Sequence, residues 1–194
     1  MKIVNVRGTH GSGKSTLVRE IMKLYTDVKE VRKAIRRRPL GYILQDWSFR
    51  HPIPYRDLFI PGHYETPCGG CDTITIVDDA YHIIEEYARK DYNVLFEGIL
   101  AQHSMPNLRR LNEHFPGAIH VVVIDMPDEF AIEAVQYRRA AAGKPPLGNT
   151  DNIRKEARGV RNSVNKIADL GIPVDVLDRE KALARVKELL GWTS

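Results

Sequence analysis

Residues 8–16 read GTHGSGKST and restrict the fold more than any other stretch of this 194-residue chain. The spacing Gly-x4-Gly-Lys-[Ser/Thr] lets successive backbone N–H groups wrap around phosphate oxygens while the following helix adds the positive end of its dipole. Residues 2–7, KIVNVR, form a β-branched run ahead of the motif, and residues 15–25 place Leu17, Val18, Ile21 and Leu24 at helical spacing behind it. Strand, glycine turn and amphipathic helix are the context this mechanism requires. Gly8, His10, Gly11, Ser12 and Gly13 would then form the wrapping loop around the phosphates of ATP. Lys14 would bridge the terminal phosphates, Ser15 would ligate Mg²⁺, and Thr16 would reach an inner phosphate.

The same alternation continues downstream. Residues 81–90 read as the end of a helix, and residues 93–100, NVLFEGIL, as a strand with its exit turn. Residues 118–126, AIHVVVIDM, form the most hydrophobic segment and predict a central parallel strand, after which Pro127 opens a helix through DEFAIEAVQYRR. Residues 172–177 predict a last strand before a helix over 181–190. Strands separated by helices predict an α/β fold, one domain over residues 1–194, with a three-layer parallel sheet. Residues 27–74 fit poorly, being rich in Pro, Gly and aromatics, with possible strands at 41–45 and 57–60; they predict an insertion over the sheet edge. Residues 140–151, AAAGKPPLGNTD, are a Gly/Pro-punctuated loop of the kind that serves as a lid.

Composition narrows the class further. With 28% charged and 43% hydrophobic residues the chain is neither disordered nor fibrous. Two cysteines three positions apart cannot staple a secreted mini-protein, so a reducing, cytoplasmic compartment is expected. No run approaches the ~20 apolar residues of a membrane span, so no membrane partner is expected. The net charge of +4 is unevenly placed: residues 29–38 hold six basic residues and one acid, and residues 138–166 eight basic residues and two acids, leaving −7 on the remainder. An acidic body with two basic segments suits phosphate-rich partners.

Three classes of phosphate-loop protein compete. A GTPase switch needs Asn-Lys-x-Asp, and the nearest string, Asn165-Lys166-Ile167-Ala168-Asp169, is one residue too long. A motor ATPase usually carries Asp-Glu after its hydrophobic strand, where this chain has Asp125-Met126. Kinases remain. VLFEGILA, residues 94–101, resembles the strand of uridine kinase and related P-loop kinases, and the resemblance implies that Glu97 helps to hold Mg²⁺. VVVIDMPDEFAIEAVQYRR resembles the stretch leading to the lid arginines of small-molecule and nucleotide kinases, which puts Arg138 and Arg139 in that role. Arg154, Arg158 and Arg161 follow at i, i+4 and i+7, on one helix face, where they would meet the charge of a phosphoryl group in flight or form a solvated basic face. The lid so defined spans residues 138–161.

The acceptor side of such a kinase falls in the insertion. In YETPCGGCDTI, residues 64–74, Gly69 and Gly70 allow close approach of a ligand, and Asp72 would accept the acceptor's hydroxyl proton or cap a helix near residues 73–76. Asp46 and Glu65 are weaker candidates for the base. Cys68 and Cys71 lack the second pair of a zinc site and the context of a redox pair, and read as loop residues. LFIPGHYETPCGGCDTI, behind a basic and aromatic stretch, resembles bacteriophage P-loop kinases of the thymidylate kinase-like group that act as 5-hydroxymethyluracil DNA kinases. The resemblance implies ATP-dependent phosphorylation of a hydroxymethylated base in DNA. His10 and Glu97-Gly98 depart from ordinary thymidylate kinase. Arg32, Lys33, Arg36, Arg37 and Arg38 would follow DNA phosphates, and Tyr42, Trp47, Phe49, Tyr55 and Tyr64 would stack on a base or form the insertion's own core. A soluble nucleoside or nucleoside monophosphate kinase, and a non-catalytic nucleotide-dependent binding module, are the alternative readings.

Overall fold

Strand β1 (Ile3–Arg7) is buried at every position, because Ile3, Asn5 and Arg7 face one side of the sheet and Val4 and Val6 the other, and both sides are covered. A computed structural model of the chain describes residues 1–34, 36–47 and 56–192. After β1 come α1 (Lys14–Met22), β2 (Asp27–Val31), β3 (Gly41–Gln45) and β4 (Leu58–Pro61). A single 3-10 turn, Cys71–Thr73, precedes α2 (Val77–Arg89), β5 (Asn93–Glu97), α3 (Ile99–His103) and α4 (Met105–His114). The chain then runs through β6 (Ile119–Ile124), α5 (Asp128–Ala141), α6 (Asp151–Ala168), β7 (Val174–Leu177) and α7 (Arg179–Leu189).

The seven strands form one sheet in the order β2-β3-β4-β5-β1-β6-β7. Strands β4, β5, β1, β6 and β7 are mutually parallel, and β3 runs antiparallel to both β2 and β4. The insertion therefore does not lie over the sheet edge: its β-strands are the sheet edge. Leu44, Leu58 and Ile60 join the same buried cluster as Val4, Val6 and Leu95, so this hairpin and its partner strand continue the hydrophobic layer. The strand over 118–126 is interior, between β1 and β7, while β1 occupies the middle of the parallel set.

On one face, α1 and α7 pack Leu17, Val18, Ile21, Ala182 and Val186 against Val4, Val6, Leu95, Val122 and Ile124. On the other, α2, α4 and α6 cover Ile3, Val94, Phe96, Val121 and Val123 with Tyr81, Ile84, Leu108, Leu111, Val160 and Ile167. A smaller cluster of Ala131, Val135 and Ile153 joins α5 to α6 beyond the sheet. This arrangement brings the carboxyl ends of β1, β5 and β6 together at one rim, where ligands of open α/β sheets bind. Among the described residues, no helix is long and apolar enough to cross a membrane.

Candidate active site

The phosphate loop leaves β1 at Gly8 and enters α1 at Lys14. Its tight course depends on Gly11, whose φ is +81° and where a Cβ would lie 2.3 Å from the Ala131 carbonyl oxygen of α5. Any side chain there would force loop and helix apart. Lys14 is only 6% exposed, and its Nζ donates to the carbonyls of Gly8 at 2.6 Å and Thr9 at 2.9 Å. Burial holds this ammonium below its ordinary range. Ser15 Oγ donates to Glu97 Oε1 at 2.8 Å.

Glu97 ends β5 and is 2% exposed. Burial pushes its carboxyl up to about 7, against the opposing pull of Lys14 and the Ser15 hydrogen bond and with a smaller push from Asp72. The Ser15 hydroxyl and the Glu97 carboxylate form an all-oxygen pair beside the phosphate loop, the donor chemistry that suits Mg²⁺ with its retained waters and phosphate ligands. Gly70, with φ +74°, lies directly against this carboxylate: a Cβ there would sit 2.6 Å from both the carbonyl oxygen and Oε1 of Glu97. Gly69 similarly leaves room for the Tyr64 ring. The paired glycines thus serve close packing around Glu97, and Gly69 also borders the cavity.

That cavity, about 650 Å³, runs from Gly11, Lys14, Ser15 and Thr16 across Glu97 to Gly69, Asp72 and Leu100. Asp72 borders it, but both of its oxygens accept backbone N–H groups, from Ile99 at 2.8 Å and Leu100 at 3.0 Å. It therefore caps α3, not a helix near residues 73–76; α2 begins at Val77 with no side-chain cap. Arg19, which the motif did not reveal, lines the cavity and donates to the Tyr64 and Thr66 carbonyls. It fastens the loop over residues 64–66 to α1.

Several expected substrate contacts have other roles. Tyr64 is 8% exposed and packs against Tyr42 with ring centroids 6.4 Å apart, under the Arg19 guanidinium. Both rings belong to the sheet's own hydrophobic cluster, with Val4, Leu17 and Leu95, while Trp47 is 63% exposed; Phe49 and Tyr55 lie outside the described residues. Arg36 donates to the Thr73 carbonyl at 3.1 Å. Arg37 is exposed, and Arg38 contacts His63 and Glu65. Asp46 is buried.

On the lid side, a second cavity of about 510 Å³ adjoins the first through His10, Pro67, Cys68 and Arg138. Arg138 borders both, and Arg139 borders the second while donating to the Pro145 carbonyl at 2.8 Å. The three arginines of α6 do not reach either cavity. Arg154 pairs with Glu129 at 2.9 Å, Arg161 with Asp125 at 3.1 Å and Asp128 at 3.0 Å, and Arg158 faces solvent. Acidic residues around the start of α5 engage that face of α6.

Cys68 and Cys71 are free thiols, the first exposed at the cavity edge and the second buried against Gly98. Burial holds the Cys71 thiol well above its ordinary range. Iodoacetamide at pH 8 is expected to label Cys68 alone in the folded protein and both cysteines in denaturant, read by peptide mass spectrometry; labelling of native Cys71 would contradict its packing.

No protein-family model matches the chain. Among solved structures, a gluconokinase from Sinorhizobium meliloti 1021 aligns with a TM-score of 0.50 and 13% identity over 98% of this chain and 89% of its own. A deoxyadenosine kinase from M. mycoides aligns with a TM-score of 0.50 and 12% identity over 97% and 98%. Both share the fold. Among curated proteins, the 5-hmdU DNA kinase of Delftia phage PhiW-14 is 27% identical over 184 residues, 88% of this chain and 65% of that protein. The 5-hmdU DNA kinase of Pseudomonas phage PaMx11 is 35% identical over 191 residues, 97% of each chain. End-to-end similarity of that extent, on a kinase-like sheet with a formed phosphate loop, places this chain in the family of 5-hmdU DNA kinases.

Proposed function

We propose that the protein transfers the γ-phosphoryl group of ATP to the hydroxymethyl group of 5-hydroxymethyluracil in DNA. The observation that carries this reading is the 97% mutual coverage with the phage 5-hmdU DNA kinase; the cavity joining Lys14, Ser15 and Glu97 to the acceptor loop supports it. The loop N–H groups take the donor phosphates, and Lys14 turns from its two loop carbonyls toward them. Ser15 and Glu97 would hold Mg²⁺, which when bound draws charge from the β- and γ-phosphates. Arg138, shared by both cavities, faces the phosphoryl group in transfer.

The hydroxymethyl oxygen forms the new bond to phosphorus as the bond to the β,γ-bridging oxygen breaks, and ADP leaves. Asp72 is the proposed acceptor of the hydroxyl proton; its two N–H bonds hold the carboxylate at the cavity wall and leave lone pairs free. Arg37 and the neighbouring Arg32 and Lys33, on the turn between β2 and β3, would meet phosphates of the DNA strand.

Labelled γ-phosphate is expected to enter DNA containing 5-hydroxymethyluracil and not the same duplex with thymine, since thymine lacks the nucleophilic oxygen. Efficient transfer to free nucleosides with none to DNA would replace this reading with a soluble nucleoside kinase.

A further inference from the structure

Helix α6 touches the phosphate loop with an acid, not with its arginines. Glu156 is buried to 9% side-chain exposure. Its Oε2 is bound to His10 Nδ1 and its Oε1 accepts from Gln102 Nε2 at 3.3 Å. Gln102 in turn accepts the Gly8 N–H at 3.1 Å. One helical turn earlier, the Thr9 hydroxyl donates to the Ile153 carbonyl at 3.2 Å. Three consecutive loop residues, Gly8, Thr9 and His10, are thus held directly or through one side chain by the lid helix. A buried carboxylate next to a phosphate site repels the ligand unless it is neutralised, so its presence there needs a reason. His10 supplies the pairing. Its ring borders both cavities, and Nε2 has no hydrogen bond among the described residues.

We propose that Glu156 is a positioning residue for phosphoryl transfer, holding His10 by Nδ1 so that Nε2 meets the terminal phosphate of the nucleotide between the two cavities. The carboxylate on Nδ1 fixes the ring's orientation, as acids do behind catalytic and metal-bound histidines. Gln102 extends the same support to Gly8, so one acid on the lid sets both ends of the first half of the loop. The inference rests on the kinase reading above but is indifferent to the acceptor.

The test has two arms. In protein labelled with ¹⁵N-histidine, with His10 assigned from a His10→Gln sample, Mg²⁺ and a β,γ-imido ATP analogue are expected to shift the Nε2 resonance. Glu156→Ala should abolish the bound Nδ1 signature and most of that shift. This arm needs no acceptor, so it is separable from the DNA reading; a wild-type Nε2 resonance that ignores the nucleotide overturns the proposal. The second arm measures turnover on whichever acceptor the wild-type protein uses. His10→Ala and Glu156→Gln should each lower kcat about 10- to 100-fold, with a smaller change in KM for ATP, and the double variant should be no slower than His10→Ala alone. Multiplying losses in the double variant, or a lowered melting midpoint with kcat unchanged, would mean that Glu156 only ties the helix down.

Discussion

Lys14→Ala is expected to lower kcat/KM for phosphoryl transfer by at least about 10³-fold, the scale of losing a charged donor aimed at developing negative charge. In the free protein the ammonium is 6% exposed and, among the described residues, hydrogen-bonds only to the Gly8 and Thr9 carbonyls. Its desolvation opposes those hydrogen bonds, and burial accordingly depresses its basicity. Removing it therefore changes the stability of the free protein little, by about 1 kcal/mol in either direction, because water can follow into an open cavity and reach both carbonyls. Nucleotide affinity measured by calorimetry should fall with turnover, while the melting midpoint should move by no more than about 4 °C. Lys14→Arg should not rescue: a planar guanidinium is larger than the buried space that the ammonium occupies. Turnover within tenfold of wild type in Lys14→Ala would remove the phosphate loop from the mechanism.

The phosphate loop is legible in the residues because its mechanism demands a local pattern, β1 and β6 because they are β-branched runs buried on both faces, and α5 because Pro127 marks its start. Strand β2, DVKEV, escapes the same reading: it is an edge strand with three exposed residues at its centre, so burial leaves little imprint on it. Helices α3 and α4 are missed for a different reason. The first is five residues long and receives its cap from Asp72, 27 residues earlier in the chain, a relation no local window contains. The arginine row of α6 shows how a correct periodicity can still mislead. Arg154, Arg158 and Arg161 do share a face, but Glu129, Asp125 and Asp128 claim two of them. Glu156 lies two residues from Arg154, about 200° around the helix, and that face is the one turned toward the phosphate loop. Spacing locates a face; only the packing of α5 against α6 decides which face meets the site.

Glu97→Gln should separate function from stability in opposite directions. Turnover at fixed Mg²⁺ is expected to fall about 10²-fold or more, with a raised Mg²⁺ requirement, since an amide is a poor substitute for the carboxylate proposed to support the metal beside Ser15. The metal-free protein, by contrast, should become more stable above neutral pH. The folded carboxyl titrates near 7 against an ordinary 4.5, so the folded state binds the proton more tightly than the unfolded chain. Stability contributed by the protonated group is complete below pH 4.5, declines as the pH rises toward 7, and is lost above it. At pH 8 that loss is about 1–3 kcal/mol, which the neutral amide avoids; in a chain of this size it corresponds to a rise in melting midpoint of about 3–8 °C in EDTA. The gain should vanish at pH 4.5, where wild-type Glu97 is itself neutral in the fold. A variant destabilised more at pH 8 than at pH 4.5 would mean that the Lys14–Glu97 attraction outweighs the burial of the carboxylate. Opposed shifts in turnover and stability would identify Glu97 as a residue kept charged in a buried place for its chemistry.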